Sequence, residues 1–247
     1  MYTPPSDPIA GESAEGAGLS RRGFLSLGAL GALAALAPWQ GGEAVAAPAP
    51  ASKITPAAAL ADLMQGNARY LANRPLERDY SAGRAARVTT HAPTAAVLSC
   101  ADARVPVDLV FDQGPGEIFS VRVAGNILTT DLLASIEYAV HVLKAPLVMV
   151  LGHSQCGAVK ATIQALEEDS LLPGHLPTLI QALSPAVSAG KRMHAADLVD
   201  AVTVANVRRQ VGLLKQAAPI VDHAAKEGQV KIVGAVYDIA TGKVRLV

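Results

Sequence analysis

Two short polar segments of the chain contain residue types that could carry out metal chemistry. The first is the run CADAR at residues 100–104, and the second is the run HSQCG at residues 153–157. Two cysteine thiolates and one imidazole form a donor set that suits zinc. Three protein ligands leave one of the four tetrahedral positions of zinc open, which is typical of a catalytic site. The sequence therefore predicts a catalytic zinc site with Cys100, His153 and Cys156 as ligands.

A carboxylate and a guanidinium accompany the first cysteine. Asp102 and Arg104 lie two positions apart and could reach each other in an extended loop. A guanidinium beside a carboxylate keeps it ionised and fixes its orientation. Asp102 could accept a hydrogen bond from a zinc-bound water or occupy the open position itself, and we expect the water-bound form at neutral pH. The alternative is an ordinary surface ion pair, which contributes little to stability.

The two cysteines could also have a role that does not involve a metal. They could form a disulfide in an oxidising compartment, or cycle between thiol and disulfide as a redox pair. A redox role is weakened because Cys100 and Cys156 lack the usual C-x-x-C spacing. The histidine three residues before Cys156, and the position of both cysteines just after predicted strands, favour the metal site.

The hydrophobic pattern predicts the strands and helices that must position these residues. Apolar and alternating runs predict strands at residues 95–99, 118–123, 147–151, 230–237 and 244–247, with a hairpin turn at Thr241-Gly242 before the last one. Helical spacing and capping residues predict a helix that begins at Pro56, and helices at residues 131–144, 158–166 and about 192–216.

This alternation predicts an α/β fold. Strands that are apolar throughout are typical of a mainly parallel β-sheet flanked by helices. The C-terminal hairpin should add an antiparallel edge strand. In such sheets ligands bind beyond the carboxyl ends of the strands, where both polar segments emerge. The segments should therefore meet although they are far apart in sequence.

The first 46 residues are predicted to be an export signal. Arg21-Arg22 precede an apolar stretch at residues 24–37 and a small-residue cleavage pattern at residues 44–46. Paired arginines are typical of a twin-arginine signal, although an ordinary secretory signal is the alternative. The apolar stretch is short for a membrane span. We expect the twin-arginine export machinery to deliver the protein to the periplasm, or otherwise outside the cytoplasm. Residues 47–54 would be a linker, and residues 55–247 the catalytic domain.

The composition narrows the possible partners. Of the 247 residues 51% are hydrophobic, which argues against a disordered chain. The 21 basic and 21 acidic side chains balance, so the basic excess of a nucleic-acid-binding surface is missing. We expect no nucleic-acid partner, and no membrane association after the signal is removed.

The two motifs together resemble those of the β-class carbonic anhydrases. Cys-x-Asp-x-Arg followed by His-x-x-Cys-Gly carries the resemblance, and further matches lie at residues 63–70, 115–117, 122, 125–126, 136–140 and 234–237. The resemblance implies a lyase that hydrates carbon dioxide reversibly to bicarbonate and a proton through a zinc-bound hydroxide. It implies catalytic roles for Asp102 and Arg104. It also implies an apolar substrate pocket shaped by Val105 and Tyr138, partly across the interface of a homodimer or larger homo-oligomer.

Two alternative functions remain at this stage. The same zinc site could hydrolyse carbon disulfide or carbonyl sulfide, since access to the pocket is not set by the motifs. The protein could also be an exported metal-binding module without turnover. Such a module would not need an orienting pair, so the presence of Asp102 and Arg104 counts against it.

Overall fold

The computed structural model describes residues 54–247, in which helices and strands alternate along the chain. The strands are β1 (Ala95–Ser99), β2 (Ile118–Arg122), β3 (Leu147–His153), β4 (Lys231–Tyr237) and β5 (Val244–Leu246). The helices are α1 (Pro56–Leu71), α2 (Arg84–Arg87), α3 (Val107–Val110), α4 (Thr130–Glu137), α5 (Gly157–Glu167), α6 (Pro177–Lys191), α7 (Leu198–Lys215) and α8 (Val221–Lys226). The predicted export signal, residues 1–46, and nearly all of the predicted linker lie outside the described residues.

The strands form one five-stranded sheet in the order β2-β1-β3-β4-β5. The pairings of β1 with β2, β1 with β3, and β3 with β4 are parallel, and that of β4 with β5 is antiparallel. The predicted fold class, a mainly parallel sheet with an antiparallel edge strand from the C-terminal hairpin, is confirmed. Because β1 and β3 are neighbours and run in parallel, their carboxyl ends meet at one edge of the sheet.

The two central strands are buried on both faces of the sheet. Every residue of β1 and β3 is buried. Successive residues point to opposite faces, so Leu98 and Val150 join one core cluster while Val97 and Met149 join another. A sheet covered in this way explains why these strands are apolar without alternation.

The prediction of a single helix at residues 192–216 was wrong in its first part. Helix α7 begins at Leu198, where the Asp197 side chain caps it by accepting from the Asp200 amide at 3.0 Å. Residues 177–191 form the separate helix α6, which the sequence analysis missed. Pro185 and Gly190 lie inside α6, and both residue types disfavour the interior of a helix, which weakens the helical pattern of this stretch. Among the described residues no helix is long and apolar enough to cross a membrane.

Smaller differences concern the ends of the predicted elements. Strand β3 runs two residues further than predicted, so His153 is its last residue rather than part of the following loop. The helix expected at residues 131–144 is α4, which is capped by Thr129 and passes into a π-helical turn at Tyr138–Val142. Helix α1 begins at Pro56 as predicted, with the Thr55 hydroxyl accepting from the Ala58 amide at 3.2 Å.

Candidate active site

The three predicted metal ligands lie together at the carboxyl edge of the sheet. Cys100 follows β1, His153 ends β3, and Cys156 immediately precedes α5. Their donor atoms all lie within 4.8 Å of one another. All three residues are buried, with at most 5% of their surface exposed. Parallel pairing of β1 with β3 therefore brings the two motifs into one cluster, as the sequence analysis predicted.

The ring of His153 is oriented by the backbone. Its Nδ1 lies 2.9 Å from the Ser154 carbonyl oxygen, so Nδ1 carries the hydrogen and donates it. This leaves Nε2 as the acceptor nitrogen, and Nε2 is buried without a hydrogen-bond partner. A buried polar atom without a partner needs an explanation. A metal ligand whose other ring nitrogen donates to a carbonyl is the usual arrangement of histidine in metal sites, so His153 fits zinc.

The two cysteines are free thiols, not a disulfide. The hydrogen bond between their sulfurs lowers the pKa of Cys100 and raises the pKa of Cys156. The amide of Gly125 also donates to Cys100 Sγ at 3.3 Å, which further favours the thiolate there. A divalent cation would let both sulfurs ionise, because its charge offsets their mutual repulsion. The donor set is thus suited to zinc.

Asp102 and Arg104 form a two-pronged ion pair beside the ligands. Arg104 Nε lies 3.0 Å from Oδ1 of Asp102, and Nη2 lies 2.7 Å from Oδ2. The Arg104 amide also donates to Oδ1, at 2.9 Å. These hydrogen bonds, that of the Arg104 side chain above all, hold the pKa of Asp102 well below its usual range. Oδ2 lies 3.9 Å from Nε2 of His153, so the pair borders the ligand cluster.

Arg122 is a site residue whose role the sequence analysis missed. It ends β2, and its guanidinium donates to the Cys100 carbonyl oxygen at 2.9 and 3.0 Å and to the Asp102 carbonyl oxygen at 2.7 Å. Arg122 therefore holds the backbone of the loop that carries a ligand and the carboxylate. The available signal was its position near the carboxyl end of the predicted strand at residues 118–123, the strand that follows that of Cys100 along the chain.

The two predicted pocket residues have different environments. Val105 is fully buried, and its amide donates to the Asp102 carbonyl oxygen at 3.0 Å. Tyr138 begins the π-helical turn and is 45% exposed. Its ring centroid lies 6.2 Å from that of Phe119 on β2. Exposure of this size leaves the Tyr138 ring available to a second subunit, and the pocket role of both residues stays a prediction.

Comparison with known proteins gives a consistent result. The sequence model of the family described as Carbonic anhydrase matches residues 95–244. The chain is 39% identical over 192 residues to "Carbonic anhydrase" of Mycolicibacterium smegmatis, covering 77% of this chain and 93% of that protein. It is 36% identical over 189 residues to "Carbonic anhydrase 2" of Mycobacterium tuberculosis, covering 76% and 91%.

Solved structures share the fold. The β-carbonic anhydrase of Coccomyxa in complex with acetazolamide has a TM-score of 0.58 and 30% identity, over 68% of this chain and 77% of that chain. A tetrameric β-carbonic anhydrase of Sordaria macrospora has a TM-score of 0.61 and 24% identity, over 67% and 86%.

A mainly parallel sheet with Cys, His and Cys donors and a carboxylate–guanidinium pair at its carboxyl edge defines a candidate metalloenzyme. The chain belongs to the carbonic anhydrase family, and its fold is that of the β class.

Proposed function

We propose that this protein catalyses the reversible hydration of carbon dioxide to bicarbonate and a proton, with zinc held by Cys100, His153 and Cys156. One observation carries the proposal. The three donor atoms converge within 4.8 Å of one another next to an ionised carboxylate that a guanidinium holds in place. The relatives named above are carbonic anhydrases. The similarity to them does not favour the alternatives, which are hydrolysis of carbon disulfide or carbonyl sulfide and a metal-binding module without turnover.

The proposed ligands are held ready for the metal by the chain itself. The Ser154 carbonyl fixes the His153 ring with Nε2 free to coordinate. Arg122 fixes the loop of Cys100 through its carbonyl oxygen. When bound there, zinc supplies Lewis acidity that brings the ionisation of water towards neutral pH. Ligands held in position in this way pay little ordering entropy when the metal and substrate bind.

Asp102 is suited to orient a water molecule at this site. Its Oδ1 accepts two hydrogen bonds from Arg104, whereas Oδ2 accepts one. A carboxylate oxygen has two lone pairs, so Oδ2 keeps one acceptor position. Oδ2 is also the oxygen that lies 3.9 Å from His153 Nε2. Because Arg104 keeps Asp102 ionised, Oδ2 acts as an acceptor and fixes the direction of a water O–H bond.

The test is stopped-flow measurement of carbon dioxide hydration with a pH dye, together with zinc content. The Cys156→Ser variant should lose most of its zinc and most of its activity, because a serine hydroxyl is not ionised near neutral pH. The matched control is His175→Gln, an exposed histidine outside the cluster, which should match the wild type in both. A zinc-loaded wild type without hydration activity, or a Cys156→Ser variant that is fully active, would contradict the proposal. Sulfide release from carbon disulfide is measured in parallel, and release in the absence of carbon dioxide hydration would show that the site acts on sulfur substrates.

We also propose that the protein acts as a homodimer or larger homo-oligomer. The support is apolar surface on the described chain. Tyr80 and Leu109 are 54% and 60% exposed, and both line one groove with Tyr70 and Pro75. Large apolar side chains gathered in a groove are typical of interaction surfaces. Tyr138, which the family resemblance places at a subunit interface, is exposed as well.

We propose, finally, that the twin-arginine machinery exports the protein to the periplasm. The support is in the sequence alone: Arg21-Arg22, the apolar stretch at residues 24–37 and the cleavage pattern at residues 44–46. That machinery carries folded proteins, which suits a metal site whose thiols are better hidden before they meet oxidants.

A further inference from the structure

A line of buried hydrogen bonds connects helix α7 to the sulfur of Cys100. The Gly125 amide donates to Cys100 Sγ at 3.3 Å. The carbonyl oxygen of Gly125 accepts from Asn206 Nδ2 at 2.8 Å. In turn, Asn206 Oδ1 accepts from Gln210 Nε2 at 2.7 Å. The residue whose amide donates to a proposed metal ligand is thus also held through its own carbonyl oxygen by Asn206, and Asn206 is held in turn by Gln210.

The two side chains on α7 make hydrogen bonds to the segment after β2 at two residues, Gly125 and Leu128. Asn206 and Gln210 lie four residues apart and therefore on the same face of the helix. Their exposed fractions are 1% and 2%. Besides holding Asn206, Gln210 accepts the amide of Leu128 at its Oε1, at 3.1 Å. Buried amides are costly to leave without partners, so these bonds resist local movement of the segment from Gly125 to Leu128.

The backbone at Gly125 leaves little room for another arrangement. Its φ is +73°, in the left-handed region that favours glycine. A Cβ atom at this position would lie 3.0 Å from Leu183 and 3.3 Å from Ala158. The turn is tied to the neighbouring loop as well, because the Ala101 amide donates to the Val123 carbonyl oxygen at 3.2 Å. The peptide group that follows Gly125 is held at two atoms: the Asn126 amide donates to the Val123 carbonyl oxygen at 3.0 Å, and the Gly125 carbonyl oxygen accepts from Asn206.

We propose that Asn206 and Gln210 are positioning residues that keep the Gly125 amide directed at Cys100 Sγ and thereby tune this sulfur as a metal ligand. The inference rests on the proposed function, which makes Cys100 a ligand of zinc. An N–H group held on a ligating sulfur orients it and withdraws negative charge from it. When the Asn206 side chain is truncated, the buried Gly125 carbonyl oxygen loses this partner, and the peptide group that follows Gly125 can rotate. Because that rotation changes ψ of Gly125 and shifts its Cα atom, we expect the Gly125 amide to move away from Cys100 Sγ.

The experiment compares the full-length wild type with Asn206→Ala and Gln210→Met in two measurements besides activity. The first is zinc affinity, by competition with a chromophoric chelator. The second is the sulfur-to-metal charge-transfer band of the cobalt-substituted protein, which reports the charge on the ligating sulfurs. Asn206→Ala should weaken zinc binding about tenfold, at the low end of what partners of metal ligands contribute, and should shift the band. Gln210→Met should produce smaller changes in the same direction.

Asn67→Ala is the matched control, because it separates the proposed role from a loss of stability. Asn67 is 2% exposed, and its Nδ2 donates to the carbonyl oxygens of Val110 and Gly242 at 3.0 Å each. It makes no hydrogen bond to Gly125 or to the three ligands. Asn67→Ala should lower the free energy of unfolding while zinc affinity and the cobalt band stay at the wild-type values.

The possible outcomes are distinct. The inference is overturned if Asn206→Ala binds zinc like the wild type, or if Asn67→Ala changes affinity and band to the same extent. Should Asn206→Ala fail to fold, the cobalt band of Gln210→Met decides, and an unchanged band overturns the inference. A wild type that shows no sulfur-to-cobalt band would instead refute the proposed function itself.

Discussion

The side chains of His153 and Asp102 are each fixed on one side by the protein. The His153 ring is held through Nδ1 by a backbone carbonyl, and the Asp102 carboxylate is held by the fork of Arg104. On the other side, Nε2 of His153 and Oδ2 of Asp102 face each other at 3.9 Å. Sites whose side chains are oriented by a supporting layer reach productive geometry without rearrangement. The supporting contacts therefore matter to turnover as well as to stability.

Arg104→Ala tests this orientation at the level of a single residue. Without the guanidinium, the Asp102 carboxylate can rotate, and its pKa returns towards the usual value. We expect carbon dioxide hydration to fall by about 10- to 100-fold, as for other partners that orient groups around a metal. Zinc content should stay unchanged, because Arg104 is not among the ligands. Arg104→Lys keeps the charge but not the fork, and should be intermediate. Turnover equal to that of the wild type would remove the pair from the mechanism.

Helices α6 and α7 support the strand edge that carries the site. Gly190 of α6 packs against α7 so closely that a Cβ atom would lie 2.6 Å from Val202 Cγ2 and 2.9 Å from its backbone. Helix α7 in turn carries Asn206 and Gln210, which hold the turn after β2. The close packing of α6 on α7 thus fixes the position from which α7 reaches the candidate site.

Gly190→Ala should therefore destabilise the fold. The added methyl group meets backbone atoms that cannot move independently, and overpacking of this kind costs about 1–3 kcal/mol. Gly212→Ala is the matched control, because Gly212 lies inside α7 with nothing within 4 Å of its added Cβ. That change should stabilise the helix by about 0.5–1 kcal/mol. Urea unfolding measures both. Equal effects of the two substitutions would show that helix propensity, rather than packing, governs both positions.

The sequence predicted elements well where one local pattern decides them. Strand β1 was predicted with its observed ends because the apolar run at residues 95–98 ends in Ser99 and leads into a polar segment. Helix α6 was not predicted; it contains Pro185 and Gly190, two residue types that disfavour helix interiors, although Gly190 permits the close contact with Val202. The ligand set followed from residue types at strand ends. The contacts of Arg122 and Asn206 could not be predicted, because they join side chains to backbone atoms that are distant in the sequence.

On the scale of the whole molecule, the described residues form the domain that carries the site, and apolar side chains remain on its surface. Leu109, Tyr80 and Tyr138 are each at least 45% exposed. Burial of such side chains against a second subunit would be favourable by roughly 25 cal/mol per Å² of apolar surface. This is the physical basis of the proposed assembly. If the export signal is removed as proposed, the chain that assembles is the one without residues 1–46.

One preparation tests both whole-molecule proposals. Protein recovered from the periplasm should show no tryptophan emission, because the chain's one tryptophan, Trp39, belongs to the segment that is removed. Its mass by light scattering should be a multiple of the mass of the cleaved chain. A cytoplasmic sample of an Arg21→Lys, Arg22→Lys double variant serves as the control, and should retain the emission. Tryptophan emission from periplasmic material would contradict removal of residues 1–46, and the mass of a single chain would contradict assembly.

The pairing of β1 with β3 determines when, during folding, the three metal ligands come together. Cys100 belongs to the end of one strand, whereas His153 and Cys156 follow from the other, so the nascent chain offers at most a local pair of donors. The full set of three arises only when the two strands lie side by side. We therefore expect the metal to bind only after these two strands have paired, so that its uptake follows formation of the sheet.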